Sequence, residues 1–355
     1  MNTRRARRSR RSTGRILGFL GLTIACVVAA VAYLVVSDSP AREQGVQRVA
    51  QAPRGSLRSF ADEPHLLFRT NGRGPGYGRV AVTPLRAAGG PRALTSLRCE
   101  RVAFAHGVGM CLTDESGITI TSGLDIFDAR FRVRRHIGLP GIVSRARVAP
   151  NGKVGAATVF VSGDSYASDS FSTRTNFFDL VKGRIIGDLE KFRVTRRGAV
   201  VDRVDRNFWG VTFAKDSNTF YATLGTSAHN YLIKGNLKQR TARVIHSEVE
   251  CPALSPDGLR IAYKHRERGE VVAGIEQAAT WRLHVLDLRT GHDVALAERR
   301  NVDDQPVWLD DATVGYAIPH AQVNVNANDI YVIPADGTGR PRVIVPAAWS
   351  PALVP

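Results

Sequence analysis

Six times between residues 78 and 345 the chain passes from one short apolar stretch through a polar turn into a second, with a period of roughly 44 to 56 residues. Self-similarity at that length marks units that cannot bury their faces alone and must stack on one another. The six hairpins span 78–94, 124–139, 175–189, 230–245, 283–296 and 329–345. Five of them follow a two-stranded corner unit, at 100–112, 145–160, 208–224, 251–264 and 306–318. No long segment carries a 3.6-residue apolar stripe, whereas Arg282-Leu283-His284-Val285 alternates as a half-buried strand does. A corner and a hairpin together make a four-stranded blade. The predicted fold is all-β: a six-bladed β-propeller over residues 61–355, preceded by one N-terminal transmembrane helix.

The turns have the chemistry such a fold needs. In Ser255-Pro256-Asp257-Gly258, proline presets the corner, aspartate can bond the backbone across it, and glycine takes the conformation closed to other residues. Asp287 with Thr290-Gly291, and Asp336-Gly337, do the same in the hairpins that follow. The first repeat has a strand at 65–69 and its hairpin but no corner unit before them. Residues 348–354, Ala-Trp-Ser-Pro-Ala-Leu-Val, read as the missing inner strand, so the two ends of the chain are expected to close the ring.

These residues carry a resemblance. Ser255-Pro256-Asp257-Gly258 with Ile261-Ala262-Tyr263 is similar to the repeat of the TolB-like β-propellers, and Pro150-Asn151-Gly152 matches it in part. Lys215-Asp216 and Asp310-Asp311 stand in its place in two other blades. The resemblance covers residues 61–355 and looks like the membrane-anchored extracytoplasmic propellers of actinobacteria. It implies the fold, and by analogy a partner-binding role. The matching residues are turn formers and core, so it transfers no catalytic chemistry.

At the other end, about 21 apolar residues begin at Ile16 and run to Val36, directly behind seven arginines with no acidic residue among them. A helix of that length spans the roughly 30 Å core of a bilayer. Flanking arginines stay inside, which predicts a cytoplasmic arm (1–15), a single-pass plasma-membrane anchor (16–36), a linker (37–60) and an extracytoplasmic propeller. Cleavage after Ala30-Val31-Ala32 and lipidation at Cys26 are the competing readings, and both leave apolar residues on the wrong side of the cut. Net charge is +17, of which the arm supplies +7 and the rest of the chain +10. That surplus suits anionic neighbours in the envelope. The compartment excludes nucleic acid as a partner.

Three cysteines follow the anchor, and an oxidising location permits one disulfide. Cys99 and Cys111 are the obvious pair. If Phe104 pairs with Gly109, an extended chain leaves Cys99 roughly 10 Å from Cys111, too far to bridge without a bulge. The sequence leaves the bridge open. Cys251 reads as a small buried side chain.

Catalytic and metal motifs are missing. There is no Gly-x-Ser-x-Gly elbow, no His-Glu-x-x-His and no Cys-x-x-Cys, so no catalytic residue, metal ligand or cofactor site is assigned. The expected function is noncatalytic binding of a protein partner or cell-envelope component; the alternative is an envelope hydrolase or lyase with its site at the propeller axis. In a meander, the corner and hairpin turns share one face of the ring, and the long segments 69–78, 163–176, 190–207, 265–280 and 317–328 fall on the other. Long loops on a rigid scaffold commonly bind. Tyr166, Phe171 and Arg174 on one, with His265, Arg266 and Arg268 on another, are the expected contacts.

Overall fold

The computed structural model describes residues 19–29, 63–72, 75–115, 121–161, 172–226, 229–267, 271–272, 275–276, 279–319 and 328–355. Residues 19–29 form an α-helix belonging to a separate N-terminal unit. At 1.5 Å per residue it is about 16 Å long, half of what a bilayer core requires. Among the described residues no helix is long and apolar enough to cross a membrane. The rest of the expected anchor and the 37–60 linker lie outside the described residues.

The second unit is a ring of six four-stranded antiparallel blades. Blade 2 shows the pattern: Arg101–Ala105 innermost, then Val108–Glu115, Thr121–Asp128 and Val133–Leu139 outermost. Blade 1 takes its inner strand from the end of the chain. Ala348–Val354 pairs with His65–Thr70 in the register His65↔Val354 and Leu66↔Leu353, so the last strand completes the first blade.

Each blade is buried on both faces, and this explains why its strands read as apolar runs more than as alternation. The hydrophobic core is six separate wedges, one between each pair of neighbours. Leu66, Leu67 and Phe68 are consecutive and fully buried. Leu66 and Phe68 pack on blade 6, and Leu67 packs on blade 2. Phe177 and Phe178 divide in the same way between blade 4 and blade 2. The wedge between blades 3 and 4 is aromatic, with the Phe177 and Phe220 centroids 5.0 Å apart. Gly235 is required there, since a Cβ on it would meet the Phe220 ring at 2.1 Å.

The corners form as their sequence specifies. Gly258 sits at φ +78° and donates to Ser255 O at 2.9 Å, while the Asp257 carboxylate accepts from Leu259 N at 2.9 Å. Corners also lock to their neighbours. Asp257 N donates to Asp311 Oδ1 at 2.8 Å across the blade 5–6 boundary, and Asn151 N to Ser217 Oγ at 3.1 Å across the blade 3–4 boundary. The degenerate corners Lys215-Asp216 and Asp310-Asp311 thus keep their function with different residues.

Two long segments are folded. Residues 189–200 make a 3₁₀ turn and a hairpin whose strand Arg193–Arg196 pairs in parallel with Thr241–Ser247, covering the outer edge of blade 4. An open edge is a template for misassociation, so this insertion protects the blade. Segment 265–280 carries its own small hairpin, Val271–Val272 with Ile275–Glu276.

Cys99 and Cys111 are joined in a disulfide, with their Cα atoms 5.2 Å apart. The register is Phe104↔Gly109 and Val102↔Cys111, the one that would separate them in an extended chain. The chain is not extended at Cys99, where it crosses from blade 1 to blade 2. Cys99 N donates to Gly78 O at 3.1 Å, Arg69 Nε donates to Cys99 O at 2.8 Å, and Glu100 N donates to Leu112 O at 2.7 Å. These bonds fold the linker back over Cys111.

Candidate functional site

The inner strands of all six blades surround an axial cavity of about 530 Å³. Corner residues Pro150, Lys215 and Pro256 also line it, so it reaches the face that carries the tight turns. On that side four apolar side chains, Phe104, Phe213, Leu254 and Leu353, stand at the corner ends of their strands, beside the polar corner residues Lys215, Asp216 and Ser255. Deeper in it is charged, with Arg101, Arg145, Arg147 and Asp304 on the wall.

Several inner strands around the cavity are irregular. The pairing of the inner strand with its neighbour shifts at residues 143–145, 209–212 and 250–253, and at the closing strand of blade 1. Gly210, Cys251 and Ser350 take positive φ at or near the shifts. Bulges re-aim side chains, and the one at 143–145 interrupts the alternation in the strand that carries Arg145 and Arg147. Gly210 is essential to its bulge, because a Cβ would lie 2.7 Å from the Cys251 backbone.

The charges form a partial network. Arg101 bonds Asp304 at 2.8 Å and stacks over Trp349 at 4.2 Å. Asp304 is 1 % exposed, and its second oxygen, Oδ2, has no hydrogen-bond partner. Behind them, buried Lys264 bonds Asp303 and lies 3.8 Å from Glu250. Arg145 approaches Asp303 only to 4.0 Å. Arg147 donates to Pro306 O at 3.3 Å and has no carboxylate partner among the described residues. The Nε atoms of Arg145 and Arg147 are buried without an acceptor. Burial draws the pKa values of Arg101 and Arg147 down to about 10, which leaves both charged at neutral pH. Burial would raise the Asp303 carboxyl, but Lys264, Arg145 and Arg101 more than offset it and hold it below its ordinary value.

The four aspartates around blade 6, Asp303, Asp304, Asp310 and Asp311, are divided between two places. Asp303 and Asp304 belong to this network, whereas Asp310 and Asp311 cap corners. Among the described residues no cluster of His, Cys, Asp or Glu could hold a metal ion.

Of the expected contact residues, Tyr166, Phe171 and Arg268 lie outside the described residues. Arg174 is on the third strand of blade 3, and His265 and Arg266 are on the second strand of blade 5, with blade 4 between them. The His265 ring lies 4.7 Å from that of His284, and its Nδ1 is buried without a partner. No motif in the sequence points to Arg101, Arg145 or Arg147. The available signal was Arg145-Ala146-Arg147 inside an inner strand whose other positions are mostly apolar or small.

Arg174 influences a second buried group. Burial and then Asp188 push the Glu190 carboxyl up to about 9, and Arg206 and Arg174 offset only part of this. The folded protein therefore holds a proton at neutral pH that the unfolded chain releases above about 4.5. Its contribution to stability is complete below that value and is lost as pH rises through about 9, at up to about 1.4 kcal/mol per pH unit. Glu190→Gln removes the linkage. Thermal melts from pH 5 to 9 should show a shallower decline for the variant and a higher Tm at pH 8; parallel curves would show that Glu190 is ionised in the native state.

Taken together, the chain has the fold of a six-bladed TolB-like β-propeller with a charged axial cavity. No protein-family profile and no curated protein matches the sequence. Solved structures do match in fold. TolB from Acinetobacter baumannii superposes with a TM-score of 0.58 at 15 % identity, over 82 % of this chain and 66 % of that one, just under two thirds of its length. A chain of the nidogen/laminin complex superposes with a TM-score of 0.52 at 11 % identity, over 82 % of this chain and 98 % of that one.

Proposed function

We propose that this protein is a noncatalytic, envelope-tethered binding propeller. Residues 16–36 anchor it as a single pass with its N-terminus in the cytoplasm, residues 37–60 form the tether, and the propeller captures a protein partner or cell-envelope component outside. The observation that carries the binding role is the axial cavity, to which every blade contributes and which joins apolar side chains near its mouth to buried, incompletely paired charge. The nidogen/laminin neighbour supports it, since that structure is a complex of proteins. Acid–base catalysis at the axis would need a group poised near working pH. Asp303 is instead held ionised, and Glu190, the carboxyl that is strongly raised, lies between blades 3 and 4 and does not line the cavity. The anchor is supported by the apolar run and the arginines before it.

The test is photo-cross-linking in live cells from single sites. A reactive residue at Lys215, on the cavity rim, should trap a partner, and one at Arg184, on the outer strand of blade 3, should not. Trapping from position 166 and none from 215 would move the binding surface to the long-loop face. The same cells report topology. Intact mass should retain residues 1–36 in the membrane fraction, and a soluble product starting near Tyr33 would overturn the anchor.

A further inference from the structure

We infer that the inner wall of the axial cavity is a receptor for a carboxylate with an adjacent N–H, as presented by the C-terminus of a peptide or by an N-acyl amino acid, with Arg147 and Arg145 gripping the carboxylate and Asp304 accepting from the N–H. This rests on the binding role proposed above and names its ligand chemistry.

Three observations converge on it. The first is the charge balance. Arg101, Arg145, Arg147 and Lys264 face Glu250, Asp303 and Asp304, so one cation is in surplus and a monoanion neutralises the cluster. A phosphate dianion would overshoot.

The second is the set of unmet hydrogen bonds. Arginine presents five donors in a planar fork suited to a carboxylate. Arg101 already donates from Nη1 to Asp304 Oδ1, while Arg147 has only a long bond to one carbonyl, and the buried Nε atoms of Arg145 and Arg147 have no acceptor. On the same wall Asp304 Oδ2 is a buried acceptor with no donor. A buried polar atom left unpaired destabilises the fold, so native proteins keep few of them. Here residues with unpartnered donors and an unpartnered acceptor line one cavity, and a C-terminal residue carries the complement of both on groups attached to the same Cα.

The third is the set of apolar side chains near the mouth. Phe104, Phe213, Leu254 and Leu353 line the way from the corner face to the arginines. An approaching ligand therefore needs an apolar body behind its carboxylate.

The test is calorimetric titration of the purified full-length protein in nonionic detergent. The probes are acetyl-Ala-Leu-Leu with a free carboxylate, its C-terminal amide, the analogue with an ester oxygen in place of the last N–H, and acetyl-leucine. The free tripeptide should bind at least tenfold more tightly than the amide and several-fold more tightly than the ester analogue. Arg147→Gln should reduce the free peptide to the level of the amide and leave the amide unchanged. Arg147→Lys should recover part of the difference. Neither substitution should lower Tm, because each relieves or preserves an ill-paired buried charge; this separates a ligand contact from a structural one. Acetyl-leucine matching the tripeptide would identify a free acyl amino acid as the source, and preference for the tripeptide would identify a chain terminus. Equal binding of acid and amide, or binding of no probe, overturns the ligand assignment. The axial binding role falls only if cross-linking from position 215 fails as well.

Discussion

Deleting residues 347–355 will open the ring and remove a large part of the propeller's stability. The last strand is the inner strand of blade 1, paired with His65–Thr70 along its length. Its loss would strip one edge from Leu66, Leu67 and Phe68, all fully buried, and would remove the buried Ala348 and Ala352 from the wedges on either side. It would also take away Trp349, over which Arg101 stacks, and Ser350 Oγ, which accepts from Val102 N at 3.0 Å in blade 2. Exposing a large apolar side chain costs about 1.5–3 kcal/mol and each lost hydrogen bond about 0.5–1.5 kcal/mol. Several of each approach the whole stability of a typical domain, about 5–15 kcal/mol. Circular dichroism should show a Tm lowered by more than about 10 °C, or a broad transition with no baseline. A melt superimposable on that of the intact chain would mean that blade 1 stands on three strands.

That closure was legible because the sequence offers an inner strand with no blade at one end and a blade with no inner strand at the other. Fold and blade boundaries were legible for a related reason. Turn residues such as Asp257-Gly258 and Asp336-Gly337 act locally, and their spacing reports the repeat directly. What could not be read was whatever depends on the third dimension. Residues 190–207 look like a loop, yet Phe192 and Val194 are buried in the wedge between blades 3 and 4, and the hairpin extends blade 4. An apolar residue in a polar stretch does not reveal which edge it will cover. The disulfide is not legible in the sequence because its geometry depends on how the chain turns between two blades, which Arg69 Nε and Gly78 O decide from elsewhere.

The axial site was hidden for the same reason. Its four charged groups come from the inner strands of blades 2 and 3 and from the approach to blade 6, more than 40 positions apart except for Arg145 and Arg147. No motif spans such intervals. In each strand the arginine looks like a surface residue, and Asp303-Asp304 look like another turn. Ring closure brings them together, and the bulge in the inner strand of blade 3 lies beside Arg145.

Asp304→Ala should therefore be among the most destabilising single substitutions in the propeller. The carboxylate is 1 % exposed and is the acidic partner of Arg101, a guanidinium kept charged though burial lowers its pKa to about 10. Removing one member of a buried pair leaves the other charge uncompensated, at a cost of about 3–5 kcal/mol. Arg145 adds to that cost, since its positive charge already acts against that of Arg101. For a domain of this size the expected fall in Tm is roughly 10 °C. The double variant Arg101→Met with Asp304→Leu removes both charges, fills similar volume, and should recover most or all of the loss, as neutral replacement of a buried pair generally does. Thermal melts of the wild type, both single variants and the double variant form a cycle that isolates the coupling. A coupling below about 0.5 kcal/mol would mean that water, not Asp304, balances Arg101. Recovery in the double variant would carry a further conclusion. If an apolar axis is at least as stable as the charged one, stability does not explain why these groups stand at the centre of six blades. Recognition of a ligand then does, and the double variant should be the better folded protein and the poorer binder.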